Sequence, residues 1–130
     1  MRAARAYRSV DQSTAVIAGS PLDLTILLYE KLIERLNKAR VAVEQGHVGA
    51  RGEAIGLAIE LIEKGLVAAL DMDQGEDVAK QLRIQYDIWI RSLLRVTMSG
   101  DLQLINSLEE QFRSVLEAWK ELRELQRRRP

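Results

Sequence analysis

The sequence predicts an all-α protein: an antiparallel four-helix bundle behind a short N-terminal capping segment. Three observations lead there. The 130 residues are rich in Ala, Leu, Glu, Lys, Arg and Gln and hold only two prolines and eight glycines, a mix that favours helices over strands. Apolar residues recur three and four apart in four separate blocks, which is the period of an amphipathic helix. Only short breaks divide the blocks, and short connections set consecutive helices side by side. A chain of this length fits one domain and can bury a core of its own.

Residues 1–20 show no sustained period and form the N-terminal segment. They end in Ala18-Gly19-Ser20-Pro21, where Ser20 is placed as an N-cap and Pro21 as the first helical residue. Helix one follows, with Leu24, Leu28, Leu32, Leu36, Ala39 and Val43 on one stripe that runs until Gly46. The stretch 46–52 holds three glycines in seven residues, which is loop composition. Helix two then carries Ile55, Ile59, Ile62, Leu66 and Leu70 and stops at Asp71-Met72-Asp73-Gln74-Gly75. Those carboxylates suit the positive end of the next helix. Helix three puts Val78, Leu82, Tyr86, Trp89 and Leu93 inward and ends at Ser99-Gly100. Helix four opens at Asp101 and repeats Ile105, Leu108, Phe112, Val115, Trp119 and Leu122. The bundle spans residues 21–125, and 126–130 form a fraying tail.

Composition narrows the function. Lysine plus arginine and aspartate plus glutamate each number 19, so no overall field draws the chain to nucleic acid or to an acidic membrane. Cysteine is absent, which fits a reducing cytosol. No apolar run approaches the 18 or so residues of a membrane span. Arg2, Arg5 and Arg8 are followed by Asp11 and Gln12, not by the apolar stretch of a secretory signal, so a cytoplasmic protein is expected.

The sequence also lacks the residues that chemistry needs. A di-iron bundle takes a Glu-x-x-His pair from each of two helices, and this chain has one histidine. Glu44-Gln45-Gly46-His47 matches that spacing but runs into glycine-rich sequence, so His47 reads as a solvated loop residue. The run from Asp71 has its glycine one place early for a calcium loop, and Leu82 stands where a bidentate glutamate belongs. Gly49-Ala50-Arg51-Gly52 lacks the Lys-Ser/Thr step of a phosphate loop. Nothing sets a serine and an acid beside His47. No metal, cofactor or catalytic site is expected, and the protein is expected not to be an enzyme.

What the sequence does contain is surplus apolar surface. At 100° per residue, Leu57, Leu61 and Ala68 fall opposite the core stripe of helix two, and Ile84 and Ile88 form a second patch on helix three. A bundle of this size buries one face of each helix. The pairs on consecutive helices therefore suggest a groove between helices two and three for an amphipathic partner. Residues 1–20, or a second copy of the chain in a homo-oligomeric bundle, are the alternative covers. Gly56 and Gly65 lie inside helix two, where glycine costs about 1 kcal/mol against alanine, and mark a close approach of another element.

Four stretches stand out for their order and spacing: Val16-Ile17-Ala18-Gly19-Ser20-Pro21-Leu22-Asp23-Leu24 with Leu27-Leu28-Tyr29, Leu70-Asp71 through Gly75-Glu76 to Leu82, Gln85-Tyr86-Asp87-Ile88, and Ala118-Trp119. Together they resemble the FliS family of flagellin export chaperones. Their order and spacing cover roughly residues 7–122. The resemblance implies a chaperone that binds the C-terminal segment of flagellin, prevents its premature polymerisation and helps deliver it to the flagellar export apparatus. It further implies that the N-terminal segment covers apolar surface when flagellin is absent, with Tyr7, Val10, Val16 and Ile17 as the displaceable cap. The chain departs from many relatives at Tyr7-Arg8, at Glu30-Lys31 and at Gln85-Tyr86-Asp87. These departures touch the cap and client choice and leave the helical periods intact.

Overall fold

The computed structural model describes residues 20–73 and 75–129, without the side chains of 71–73. Helix one spans Pro21–Glu44. Ser20 caps it: its Oγ accepts from the Asp23 N–H at 3.1 Å and donates to the Asp23 carboxylate at 2.9 Å, so two ends of one short turn hold each other. The helix closes on a tight reversal in which Gly46 takes a φ of 71°. His47 N–H donates to the Ala42 carbonyl and Gly46 N–H to that of Val43, the paired bonds that satisfy a helix end through a left-handed glycine.

That reversal needs only three residues, and helix two starts at once with Val48–Glu60. The loop expected over 46–52 is thus corrected to 45–47. Each glycine weakens a helix by about 1 kcal/mol at most, and tertiary anchoring outweighs it: Arg51 Nη2 donates to the Thr97 carbonyl at 2.8 Å on helix three. Helix two continues as a π-helical segment, Leu61–Leu66, in which the Val67 N–H reaches back to the Ile62 carbonyl, and resumes as Val67–Asp73. Helix three spans Glu76–Ser99 and ends on Gly100 at a φ of 63°. Helix four spans Leu102–Arg128, with the Asp101 carboxylate accepting from the N–H groups of Gln103 and Leu104.

Helix one packs on helices two and four, and helix three packs on the same two, so the four form a ring. Cross-links fix the directions. Asp23 meets Arg123 while Arg40 meets Asn106 and Glu109, which makes helices one and four antiparallel. Arg51 on Thr97 does the same for helices two and three. Among the described residues there is no strand, and the all-α bundle stands.

The diagonal between helices one and three is filled by rings. Tyr29, Tyr86, Trp89 and Phe112 are all buried, with Trp89 edge-on to Tyr29 at 6.1 Å and to Phe112 at 4.8 Å between ring centres. Such edge-to-face pairs fit the ring quadrupoles. The Tyr29 hydroxyl donates to that of Tyr86 at 3.0 Å, and the Trp89 indole N–H donates to Gln111 Oε1 at 2.9 Å. The polar tips of these rings are therefore satisfied within the apolar interior.

Candidate partner-binding surfaces

Helix three exposes the second patch expected from its sequence. Ile84 is 63% exposed and Ile88 46%, one turn apart on the side away from Tyr86, Trp89 and Leu93. Leu94 and Met98 extend the exposed apolar residues toward the end of the helix. Arg83, Arg91 and Arg95 stand among them, also exposed.

Helix two behaves differently. Leu57 is 38% exposed and Ala68 half-buried, but Leu61 is only 8% exposed and belongs to the core. The expectation of an outward Leu61 is corrected, and Gly65 supplies the reason. A Cβ on Gly65 would lie 3.2 Å from both terminal methyls of Leu28, so the missing side chain lets helix one close against helix two. Leu61, one turn before Gly65, is covered by that approach. The element that Gly65 admits is therefore the chain's own helix one. A Cβ on Gly56 would meet nothing within 4 Å.

Of the residues expected to line one groove, Ile84, Ile88 and Leu57 are exposed, Ala68 is half-buried and Leu61 is buried. Arg51 of helix two reaches the Thr97 carbonyl of helix three, and Ile88 stands nine residues before Thr97, half a rotation away at 100° per residue.

A cleft at the start of helix one is a third feature. Pro21, Leu22, Thr25, Val78, Trp119 and Leu122 line it with Ser20, Gly75 and Gln126, around a volume of about 390 Å³. Val78, expected inward, is 51% exposed, and Leu122 is exposed beside it, because both reach the end of the bundle where no further turn of helix one covers them. Trp119 is only half-buried. Its indole nitrogen is nevertheless shielded and has no hydrogen-bond partner among the described residues, although it comes near enough to the Tyr29 hydroxyl to favour the ionised form slightly. Ser20, the first described residue, lies at this cleft. Tyr7, Val10, Val16 and Ile17 lie outside the described residues.

Titration behaviour in the interior is that of a dry core. Burial first, then the neighbouring Tyr86, pushes the Tyr29 hydroxyl far above its ordinary value. Burial likewise pushes Tyr86 up to about 12, against a smaller lowering by the bond from Tyr29. Both rings are neutral at physiological pH. Glu109 is held below the usual carboxylate value, chiefly by the hydrogen bond from Arg113 and, against some burial, by Arg40. His47 is exposed at the start of helix two. Among the described residues no three His, Cys, Asp or Glu side chains come together as metal ligands, and no helix is long and apolar enough to cross a membrane.

Comparison with known proteins places this architecture. The sequence profile described as flagellar protein FliS matches residues 3–126. The flagellar secretion chaperone FliS of Salmonella typhimurium is 38% identical over 118 residues, 91% of this chain and 87% of the relative. Its namesake from Vibrio cholerae is 30% identical over 118 residues, 91% of this chain and 86% of that one. The flagellar secretion chaperone FliSB of Pseudomonas aeruginosa is 32% identical over 119 residues, covering 92% and 94%. A match along nearly the whole chain, on an all-helical bundle with surplus apolar surface, means that this protein belongs to the FliS family of flagellar proteins.

Proposed function

We propose that this protein is a cytoplasmic export chaperone for flagellin and not an enzyme: it binds flagellin's C-terminal segment, blocks premature polymerisation and assists delivery to the flagellar export apparatus. The observation that carries this is the exposed Ile84 and Ile88 pair, on a chain whose relatives are named flagellar secretion chaperones. An aggregation-prone client segment is kept apart from its own kind when its apolar side chains are covered by another surface. Helix three and the outer edge of helix two, at Leu57 and Ala68, supply such surface.

The N-terminal segment is the proposed guard. Tyr7, Val10, Val16 and Ile17 are its apolar side chains, covering client-binding surface in the free chain until the client displaces them. A surface covered in the free chain and occupied in the complex needs only two covers of comparable affinity.

The deciding experiment mixes the purified chain with full flagellin and with flagellin lacking its C-terminal segment. Binding to the full protein alone is expected. Equal binding to both, or to neither, removes the client assignment. Sedimentation across a concentration series is expected to show a monomer without client, whereas a dimer that buries Ile84 and Ile88 favours a structural homo-oligomer.

A further inference from the structure

We propose that the outer face of helix three receives an acidic amphipathic helix from its protein partner, an inference that rests on the reading of this face as a client-binding one. Asp77, Gln81, Ile84, Ile88, Arg91, Arg95 and Met98 follow one another at alternating spacings of four and three, so they form one line along the helix. All seven are exposed. The line has an order: a carboxylate at the start, an apolar turn in the middle, then two guanidiniums.

Those guanidiniums are available. Lys80 pairs with Glu76 one turn away, and on helix four Arg113 is held by Glu109 and Arg123 by Asp23. Arg91 and Arg95 have no ion pair among the described residues, although Asp87 stands four residues before Arg91. A partner helix that covers Ile84 and Ile88 with apolar residues four apart brings its next turn over Arg91 and Arg95. Carboxylates there accept charge-assisted bonds, and the guanidinium's planar fork matches them in pairs. Lysines there are repelled. The order of the line also sets the partner's direction, since its acidic end must lie toward Met98 and away from Asp77.

An anionic bilayer suits the same arginines less well. The chain's formal net charge is zero, and Asp77 and Asp87 on this helix face the same way as the basic residues or beside them. A flat anionic surface meets all of these charges at once, whereas a single helix matches them position by position.

Calorimetry tests the inference with three ligands: full-length flagellin and two synthetic amphipathic peptides that share one apolar stripe, flanked in one by glutamates and in the other by lysines. The proteins are the native chain, Arg91→Glu/Arg95→Glu and Arg91→Lys/Arg95→Lys, at low and high salt, each checked for helicity by circular dichroism. At low salt the glutamate peptide is expected to bind the native chain roughly tenfold more tightly than the lysine peptide. The double glutamate variant reverses the preference, the double lysine variant keeps it, and high salt erases it. Equal affinity for the two peptides, or an unchanged preference in the double glutamate variant, overturns the proposal. Binding to phosphatidylserine vesicles in preference to both peptides overturns it in favour of a membrane surface. The flagellin arm separates the two readings. A native chain that ignores flagellin but discriminates the peptides loses the flagellin assignment and keeps this one. A chain that binds flagellin alike in all variants and both salts loses this one and keeps flagellin.

Discussion

The Tyr29 hydroxyl donates to the Tyr86 hydroxyl across the diagonal of the bundle, 3.0 Å apart and with both rings buried. Helices one and three are joined there by one bond between neutral phenols, beside the edge-on contact of Tyr29 with Trp89. Replacing either tyrosine by phenylalanine strands the other hydroxyl in an apolar interior, which costs about 1–3 kcal/mol. Removing both is expected to cost less than the sum of the singles, because no orphan remains. Denaturant unfolding of the two single variants and the double variant checks this, and strictly additive losses disprove the coupling.

The same pair sets the alkaline limit. Unfolded, a tyrosine ionises at its ordinary value of 10.0; folded, Tyr86 holds its proton to about 12 and Tyr29 beyond. Raised folded values mean stability that is whole below pH 10 and declines above it. The slope approaches roughly 1.4 kcal/mol per pH unit for each tyrosine still neutral in the fold. Tyr29→Phe/Tyr86→Phe is expected to unfold less steeply than the native chain between pH 10 and 12, as followed by circular dichroism.

On the acid side the corresponding group is Glu109, shared by Arg113 and Arg40. Its depressed titration adds stability that is present above the ordinary carboxylate value of 4.5 and is lost as pH falls below it. Glu109→Gln is expected to lower stability at pH 7 by about 0.5–1 kcal/mol, the range of partly exposed pairs, and to flatten the decline below pH 4.5. A parallel shift of the whole pH curve contradicts this origin.

Ile88 and Leu61 separate surface from core. Ile88→Asp is expected to weaken flagellin binding while the melting temperature stays nearly unchanged, because nearly half of the side chain already faces water. Leu61→Ala is expected to cost about 2 kcal/mol or more, as for other buried leucines. Equal losses of stability in the two variants return Ile88 to the core.

The two glycines of helix two carry opposite expectations. Gly56→Ala meets open space and is expected to stabilise the chain by about 0.5–1 kcal/mol. Gly65→Ala sets a methyl 3.2 Å from Leu28, itself 1% exposed in the core, and is expected to destabilise by about 1 kcal/mol or more through overpacking. Thermal unfolding of the pair decides both.

The ends of helix one and the junction of helices three and four were the most legible part of the structure, because Ser20-Pro21, Gly46, Gly100 and Asp101 act through local backbone geometry that sequence states directly, whereas the start of helix two at Val48 was masked by Gly49 and Gly52. The outward Ile84 and Ile88 were legible for a similar reason, since the inward face of helix three is fixed by its large rings. Leu61 was hidden. Its burial depends on how near helix one comes, and that distance is set by Gly65 against Leu28, a relation between two helices that one helix's projection does not contain. The cleft was hidden too, because Val78 and Leu122 keep the inward period while the neighbouring helix stops short of them.

The π-helical segment Leu61–Leu66 has a consequence for the register of helix two. A turn that bonds five residues back accommodates one residue more than an ordinary turn, and Ile55 before it and Leu70 after it both remain in the core. Helix two thus packs an extra residue into these six positions while the stretches on both sides of it keep their inward side chains, so the register of its inward face after Leu66 is set by the wider turn and not by an unbroken α-helical count.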